Sequence, residues 1–216
     1  MYEDKTDGYF SYCRTDLLEF VPRKGNRILE IGAGSGETLL KAKEMGLAEE
    51  IVGVELQSIK KSNQSHPKMD RFIIGDIERM DLDFEENYFD VILCGDILEH
   101  LFDPWQCLQK LRPFLREGGV VIASIPNVRY WKISMGLLFG GRWDYKNEGI
   151  LDKTHLRFFG RKNVVCLFES ASLKIRKLEQ MGPQRKWGLA SWAVNMLTFG
   201  IWSDLLTVQY IIVAAK

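Results

Sequence analysis

Residues 27–37 read RILEIGAGSGE. An apolar run ends on Gly32-Ala33-Gly34-Ser35-Gly36, and the pattern after Glu37 is helical. A short β-branched run that breaks into glycines before a helix is the start of a strand–turn–helix unit. Glycines allow the tight turn and let a ligand approach the backbone, although a turn of this kind needs glycine whether or not it binds anything. What lies on either side decides between the two. Six further strand candidates follow at 51–55, 71–75, 89–94, 120–125, 173–178 and 208–214. Helix candidates lie at 9–21, 37–45, 56–65, 104–115 and 161–171. Asp103-Pro104 reads as an N-cap with proline in the first turn, and Gly118-Gly119 as a stop. Alternation at this spacing predicts a doubly wound α/β fold with a mainly parallel sheet, closed by a terminal strand antiparallel to its neighbours.

Composition agrees. The chain has 216 residues, 46% hydrophobic and 27% charged, enough for one sizeable core without staples. No linker or repeat divides residues 1–216, so one domain is expected, with 27–127 as a ligand-binding core. Two inserts stand outside it: 129–156, rich in aromatic residues and glycine, and 183–204. Lys plus Arg and Asp plus Glu are both 29, so the chain lacks a basic footprint for nucleic acid. Cys13, Cys94, Cys107 and Cys166 are far apart and read as free thiols, which with the acidic, aromatic start suits a cytoplasmic setting.

Acidic residues sit at the right distances from the glycine loop. Glu30 precedes it. Glu55 ends VGVEL, nineteen residues after Gly36, where a carboxylate can accept ribose hydroxyls. Asp76 follows the third strand in IIGD. All three lie at the carboxyl ends of predicted parallel strands, where open α/β sheets bind ligands. A nicotinamide-dependent oxidoreductase or epimerase shares the loop and the ribose acid, but the dinucleotide fingerprint wants GxGxxG and Glu37 follows Gly36. A non-catalytic binding module would need a substrate side without acid–base groups.

The ordered segments LEIGAGSG, VGVEL, GDIERMDL, FDVILCGDILEHL and LREGGVVIASIPN resemble the motifs of class I S-adenosylmethionine-dependent methyltransferases. The resemblance covers 27–127 closely and implies a Rossmann-like seven-stranded sheet and S-adenosylmethionine as cofactor. It implies that Gly32, Ala33, Gly34 and Gly36 face the methionine and ribose part, with Glu30 beside them. It places the ribose hydroxyls on Glu55 and Leu56, the adenine on Asp76 and Ile77, and the sulfonium beside Cys94.

The substrate side carries Asp96-Ile97-Leu98-Glu99-His100 after the fourth strand and Thr154-His155 far downstream. This D-x-x-E-H with a distant T-H resembles the ubiquinone-pathway O-methyltransferases and small-RNA 2′-O-methyltransferases. There such residues bind a divalent metal, which here implies Asp96, Glu99, His100 and His155, with Asp96 departing from the usual glutamate. In metal-free relatives an E-H pair orders the loop instead. The segment 152–160, DKTHLRFFG, resembles one found in bacterial methyltransferases of polysaccharide, lipid and natural-product assembly. His100 and His155 are the expected catalytic pair, since a neutral imidazole can take a hydroxyl proton near neutral pH. Arg157 is a candidate anion clamp, or a surface ion pair. Tyr130, Trp131, Phe139, Trp143 and Tyr145 are candidates for the floor of an acceptor pocket, or for a small lid core. The expected reaction is O-methylation of a small-molecule, glycan or lipid-linked acceptor. Residues 187–203 carry no charge and include three tryptophans, so 183–204 is expected to cap substrate, form a homodimer or touch a membrane surface.

Overall fold

The structure is a computed structural model that describes residues 11–22, 25–182 and 201–216, with backbone alone for residues 201 and 202. In chain order its elements are α1 (Thr15–Leu18), β1 (Asn26–Ile31), α2 (Glu37–Glu44), β2 (Ala48–Glu55), β3 (Arg71–Ile74), β4 (Phe89–Gly95), α3 (Pro104–Leu111), β5 (Leu115–Pro126), α4 (Trp131–Gly140), α5 (Arg161–Ser170), β6 (Lys174–Met181), α6 (Ile201–Leu206) and β7 (Gln209–Ala215). The strands form one seven-stranded sheet in the order β3-β2-β1-β4-β5-β7-β6. Pairings among β1 to β5 are parallel, and β7 runs antiparallel to both β5 and β6. All seven predicted strands are present, and the terminal strand has the expected direction.

Alternate residues of the central strands enter opposite cores, as the period-2 geometry of a strand requires. Ile28, Val91 and Leu93 pack with Leu17, Leu39 and Ala42 on the α1/α2 side. Leu29, Ile92 and Cys94 pack with Leu108, Leu167 and Phe168 on the α3/α5 side. Cys94 is therefore a core residue, fully buried beneath α3.

The helix expectations need four corrections. Residues 56–65 hold only a 3-10 turn, Asn63–Ser65. The run has few apolar positions, and its polar side chains bond the backbone instead of leaving it to a helix. Gln64 accepts from Ile59 N–H at 3.0 Å and donates to the carbonyls of Gly34 and Gln57 at 2.9 and 3.2 Å. The helix after Asp103 is capped as expected, Asp103 accepting from Gln106 N–H at 2.9 Å, but it ends at Leu111. Pro113, with no N–H to donate, tightens the next turn to 3-10, and β5 has already begun at Leu115. Gly118-Gly119 thus lies inside β5. The N-terminal helix is reduced to α1; residues 9 and 10 lie outside the described part. So do residues 183–200 of the second insert, of which only the start of α6 is described. No helix among the described residues is long and apolar enough to cross a membrane.

β7 is held at its entry by a buried polar knot. Asn127 donates to the carbonyls of Asp204 and Thr207 at 2.7 and 2.8 Å. Arg129 pairs with Asp204 at 2.7 Å, and Tyr210, fully buried, donates its hydroxyl to the same carboxylate. Tyr210→Phe should leave that buried acceptor short of a donor and cost about 1–3 kcal/mol. Urea unfolding is expected to show a lower midpoint with an unchanged slope.

Candidate active site

A cavity of about 470 Å³ opens at the carboxyl ends of β1 to β4. Its floor is the glycine loop. Gly32 and Gly34 have φ of 72° and 51°, the left-handed region that glycine alone enters without strain. Gly32 and Ala33 donate to the Val54 carbonyl at 2.9 and 3.1 Å, so the loop is pinned against β2. Gly36 caps α2 and packs against Met69, behind the cavity wall.

Five of the expected cofactor residues, Glu30, Glu55, Leu56, Asp76 and Ile77, stand round this loop. Glu55 accepts from Gly34 N–H at 2.9 Å and Leu56 N–H at 2.8 Å, while its burial pushes it above the ordinary carboxylate range. Asp76 and Ile77 line the next wall, Asp76 accepting from Glu78 N–H at 3.0 Å. Glu30 is 4% exposed, and its Oε2 has no hydrogen-bond partner. Burial pushes its pKa up to about 8, against which Thr38 and Arg14 act only partly. Cys94, expected here, is absent from the wall for the packing reason given above.

Arg14, which the sequence reading missed, closes the far side. Its guanidinium bonds Asp16 at 2.8 and 3.0 Å, Ser124 at 2.8 Å, and the carboxylate of Asp96. Asp96 has a φ of 50°, strained for a residue with a Cβ. Its other oxygen accepts from Ser124 at 3.0 Å and from Gln209, and its own N–H donates to Ser124 at 3.0 Å. This carboxylate is spoken for, and Asp96 does not join the expected metal set. The sequence carries no local signal for Arg14; the only mark in reach is Ser124, a hydroxyl in the apolar run of β5 that the sequence reading also passed over.

The two histidines do meet. Their ring centroids are 4.6 Å apart, and only His100 lines the cavity. His100 Nδ1 faces the Thr154 carbonyl at 3.1 Å, and His155 Nδ1 faces the Ile150 carbonyl at 2.9 Å. A carbonyl accepts only, so each neutral ring carries its proton on Nδ1 and its lone pair on Nε2. His155 Nε2 lies 3.9 Å from Glu99 Oε1. Glu99 is 1% exposed, neither carboxylate oxygen has a hydrogen-bond partner, and burial holds its pKa well above the usual range. Backbone bonds lock the two segments together: Glu99 O accepts from Leu156 and Arg157 N–H at 2.8 and 3.0 Å.

The remaining substrate candidates are elsewhere. Arg157 donates to the Phe102 carbonyl at 3.0 Å and lies over the Phe102 and Trp105 rings, so it ties the insert to the turn after β4. Tyr130 and Trp131 contact each other, and Trp143 packs edge-on against Phe158; none of the three lines the cavity. Of the 129–156 insert, Glu148 alone among the described residues reaches it.

A family profile described as a methyltransferase domain matches residues 7–178. The chain belongs to that family. It is a class I S-adenosylmethionine-dependent methyltransferase. A protein named demethylmenaquinone methyltransferase from Lysinibacillus sphaericus is 27% identical over 197 residues, covering 79% of this chain and 82% of the relative. One of the same name from Staphylococcus aureus is 24% identical over 164 residues, covering 69% and 68%. A crystal structure of a methyltransferase from Archaeoglobus fulgidus superposes with a TM-score of 0.67 at 16% identity, over 98% of this chain and 95% of that one. The methyltransferase fold thus accounts for the position of the cavity at the strand ends.

Glu30 gives this methyltransferase a pH dependence with a definite sign. Its carboxyl ionises near 4.5 when unfolded and near 8 when folded. Across that window the native state holds the extra proton, so stability falls as pH rises from about 4.5 to about 8 and levels off above. Glu30→Gln removes the titration. In the ligand-free protein, the melting temperature of Glu30→Gln relative to the parent should climb between those limits by about 3 °C or more.

Proposed function

We propose that this methyltransferase methylates a hydroxyl of a small-molecule, glycan or lipid-linked acceptor, with His100 as the base. The observation that carries the reading is His100 on the cavity wall, with its lone-pair nitrogen fixed as Nε2 by the Thr154 carbonyl. S-Adenosylmethionine supplies a methyl carbon already activated by its positive sulfur. Glu55 holds the ribose hydroxyls, with Leu56 beside it. Asp76 and Ile77 take the adenine. The Gly32–Ala33–Gly34 backbone admits the methionine part, and the orphaned Glu30 oxygen offers its ammonium group an acceptor. His100 Nε2 would take the proton of an acceptor hydroxyl, and the cavity would hold that oxygen in line with the activated methyl carbon of the bound donor, whose sulfur is the leaving group. His155 and Glu99 back the ring of His100, and Arg14 with Ser124 holds the Asp96 turn against the cavity.

Glu99, His100 and His155 also fit one divalent cation. A ligand atom from each lies within 4.8 Å of the others, and the orphaned buried carboxylate is the kind of donor a cation satisfies. The Nδ1–carbonyl contacts are the outer bonds that orient metal-binding imidazoles. A bound cation would take the Nε2 lone pair of His100 and replace it as the base, lowering the pKa of a hydroxyl placed beside it.

The name shared by the two curated relatives favours a second reading, a quinone-type acceptor methylated at carbon. The same base serves when such an acceptor enters in its reduced, hydroquinone form, because the deprotonated phenol is nucleophilic at its neighbouring carbon as well as at oxygen. Locating the transferred methyl by NMR of the product separates the two.

Three measurements test this reading. Glu55→Ala should weaken S-adenosylmethionine binding by about 1.5–3 kcal/mol, the range for a hydrogen bond to a charged group, as read by calorimetry. His100→Ala should lower kcat by about 10²-fold or more with cofactor affinity nearly unchanged. Chelator treatment abolishes activity only if the cation is part of the site.

A further inference from the structure

The helix α4, WKISMGLLFG, is apolar round most of its circumference, and none of its residues is buried. Leu138 and Phe139 are 70% and 80% exposed, and Trp131, Met135 and Leu137 are exposed beside them. A helix with this composition is ordinarily a core helix. Here it ends cleanly on Gly141 in the left-handed region, Gly141 and Arg142 donating back to Leu137 and Gly136 at 3.1 Å. The element is well formed and lacks an apolar partner among the described residues.

Charge indicates what would cover it. Residues 129–162 hold eight basic side chains and three acidic ones, in a chain whose totals are 29 and 29. One of the three acids, Asp152, is 2% exposed and turned inward to Thr154. The stretch that carries the apolar helix is therefore basic on balance, a collar that includes Lys132 and Lys146 even with Arg142 paired to Asp144 and Arg129 to Asp204, while the rest of the chain is acidic on balance. A second copy docked through the same face would set collar against collar. Residues 183–200 contain Arg185 and Lys186 and no acid, so they bring no counter-charge. An anionic bilayer satisfies both features: the acyl boundary takes the apolar side chains and the phosphates take the collar.

We infer that α4 is a docking surface for an anionic lipid bilayer, with Leu138 and Phe139 entering the headgroup boundary and the basic residues round them meeting lipid phosphates. The inference stands apart from the identity of the acceptor. A path of ring contacts, Trp143–Phe158–His155–His100, joins the segment after this helix to the cavity edge, so a docked helix lies on the side from which the insert approaches the site.

Vesicle flotation tests it with the intact protein. Vesicles of phosphatidylcholine containing about one-third phosphatidylglycerol should carry the protein, and pure phosphatidylcholine vesicles should not. Raising the salt to about 0.5 M should weaken binding by shortening the screening length. Leu138→Glu with Phe139→Glu replaces two side chains that are already solvated, so folding is preserved, and should reduce binding about tenfold or more. Met45→Glu, at the exposed residue that follows α2, should leave binding unchanged. Failure of the parent to float with anionic vesicles overturns the inference, as does binding that survives the α4 double substitution. A concentration-dependent dimer in lipid-free buffer, abolished by that double substitution, assigns the face to a second copy and overturns it as well.

Discussion

Burial of the sheet on both faces is the constraint from which the site follows. Between α1/α2 on one side and α3/α5 on the other, the bodies of β1, β2, β4 and β5 accept almost nothing but apolar side chains. Polar groups are expelled to the ends of the strands. Because β1 to β4 are parallel, Glu30, Glu55, Asp76 and Asp96 all emerge at one edge and face one cavity. The reversed β7 obeys the same rule from the other end. Its first residue, Gln209, lies opposite Pro126 at the carboxyl end of β5 and so reaches Asp96.

The charges gathered there are of two kinds. Asp96 is overdetermined: Arg14, Ser124 and Gln209 fix its carboxylate and hold its backbone in a conformation that costs energy. Removing one partner would strand the other charge in a dry place, which costs more than the pair contributes. Glu30 and Glu99 are the opposite, buried with one carboxylate oxygen of Glu30 and both of Glu99 lacking a hydrogen-bond partner. An orphaned carboxylate is an expense for the fold. Its return comes when something positive, a proton or a ligand, is placed against it.

The sequence made one half of this legible and hid the other. Strand cores show as short apolar runs, and the acids that end them show as interruptions, so the sheet and Glu30, Glu55 and Asp76 were readable. His100 and His155 were readable as a pair because each sits in a compact polar motif between apolar segments. Arg14 was invisible, since its partner Asp96 lies 82 positions away and nothing local marks the contact. Cys94 was misplaced because the strand body, Leu93 and Cys94 alike, is buried in the two cores, and β4 reaches the cavity only at its last residue, Gly95. The expected helix at 56–65 failed because side-chain amides compete for the backbone in a run with little apolar surface to bury. The aromatic residues of the 129–156 insert were legible as apolar but not as exposed, because composition does not say which apolar surface will find a neighbour.

The position of β7 has a consequence for how the molecule is made. β6 precedes β7 in the chain but touches the sheet only through it. Until β7 leaves the ribosome, β5 presents a bare row of backbone donors and acceptors and β6 has nothing to pair with. A nascent chain at that stage already has its ligand-binding half in order, yet carries an open edge of the kind that captures other unfinished strands. Insertion of β7 between β5 and β6 closes both gaps in one event, and the polar knot at Asp204 and Tyr210 fixes where that insertion begins. Closure of the sheet thus falls on a seven-residue strand that follows the other six described strands in the chain.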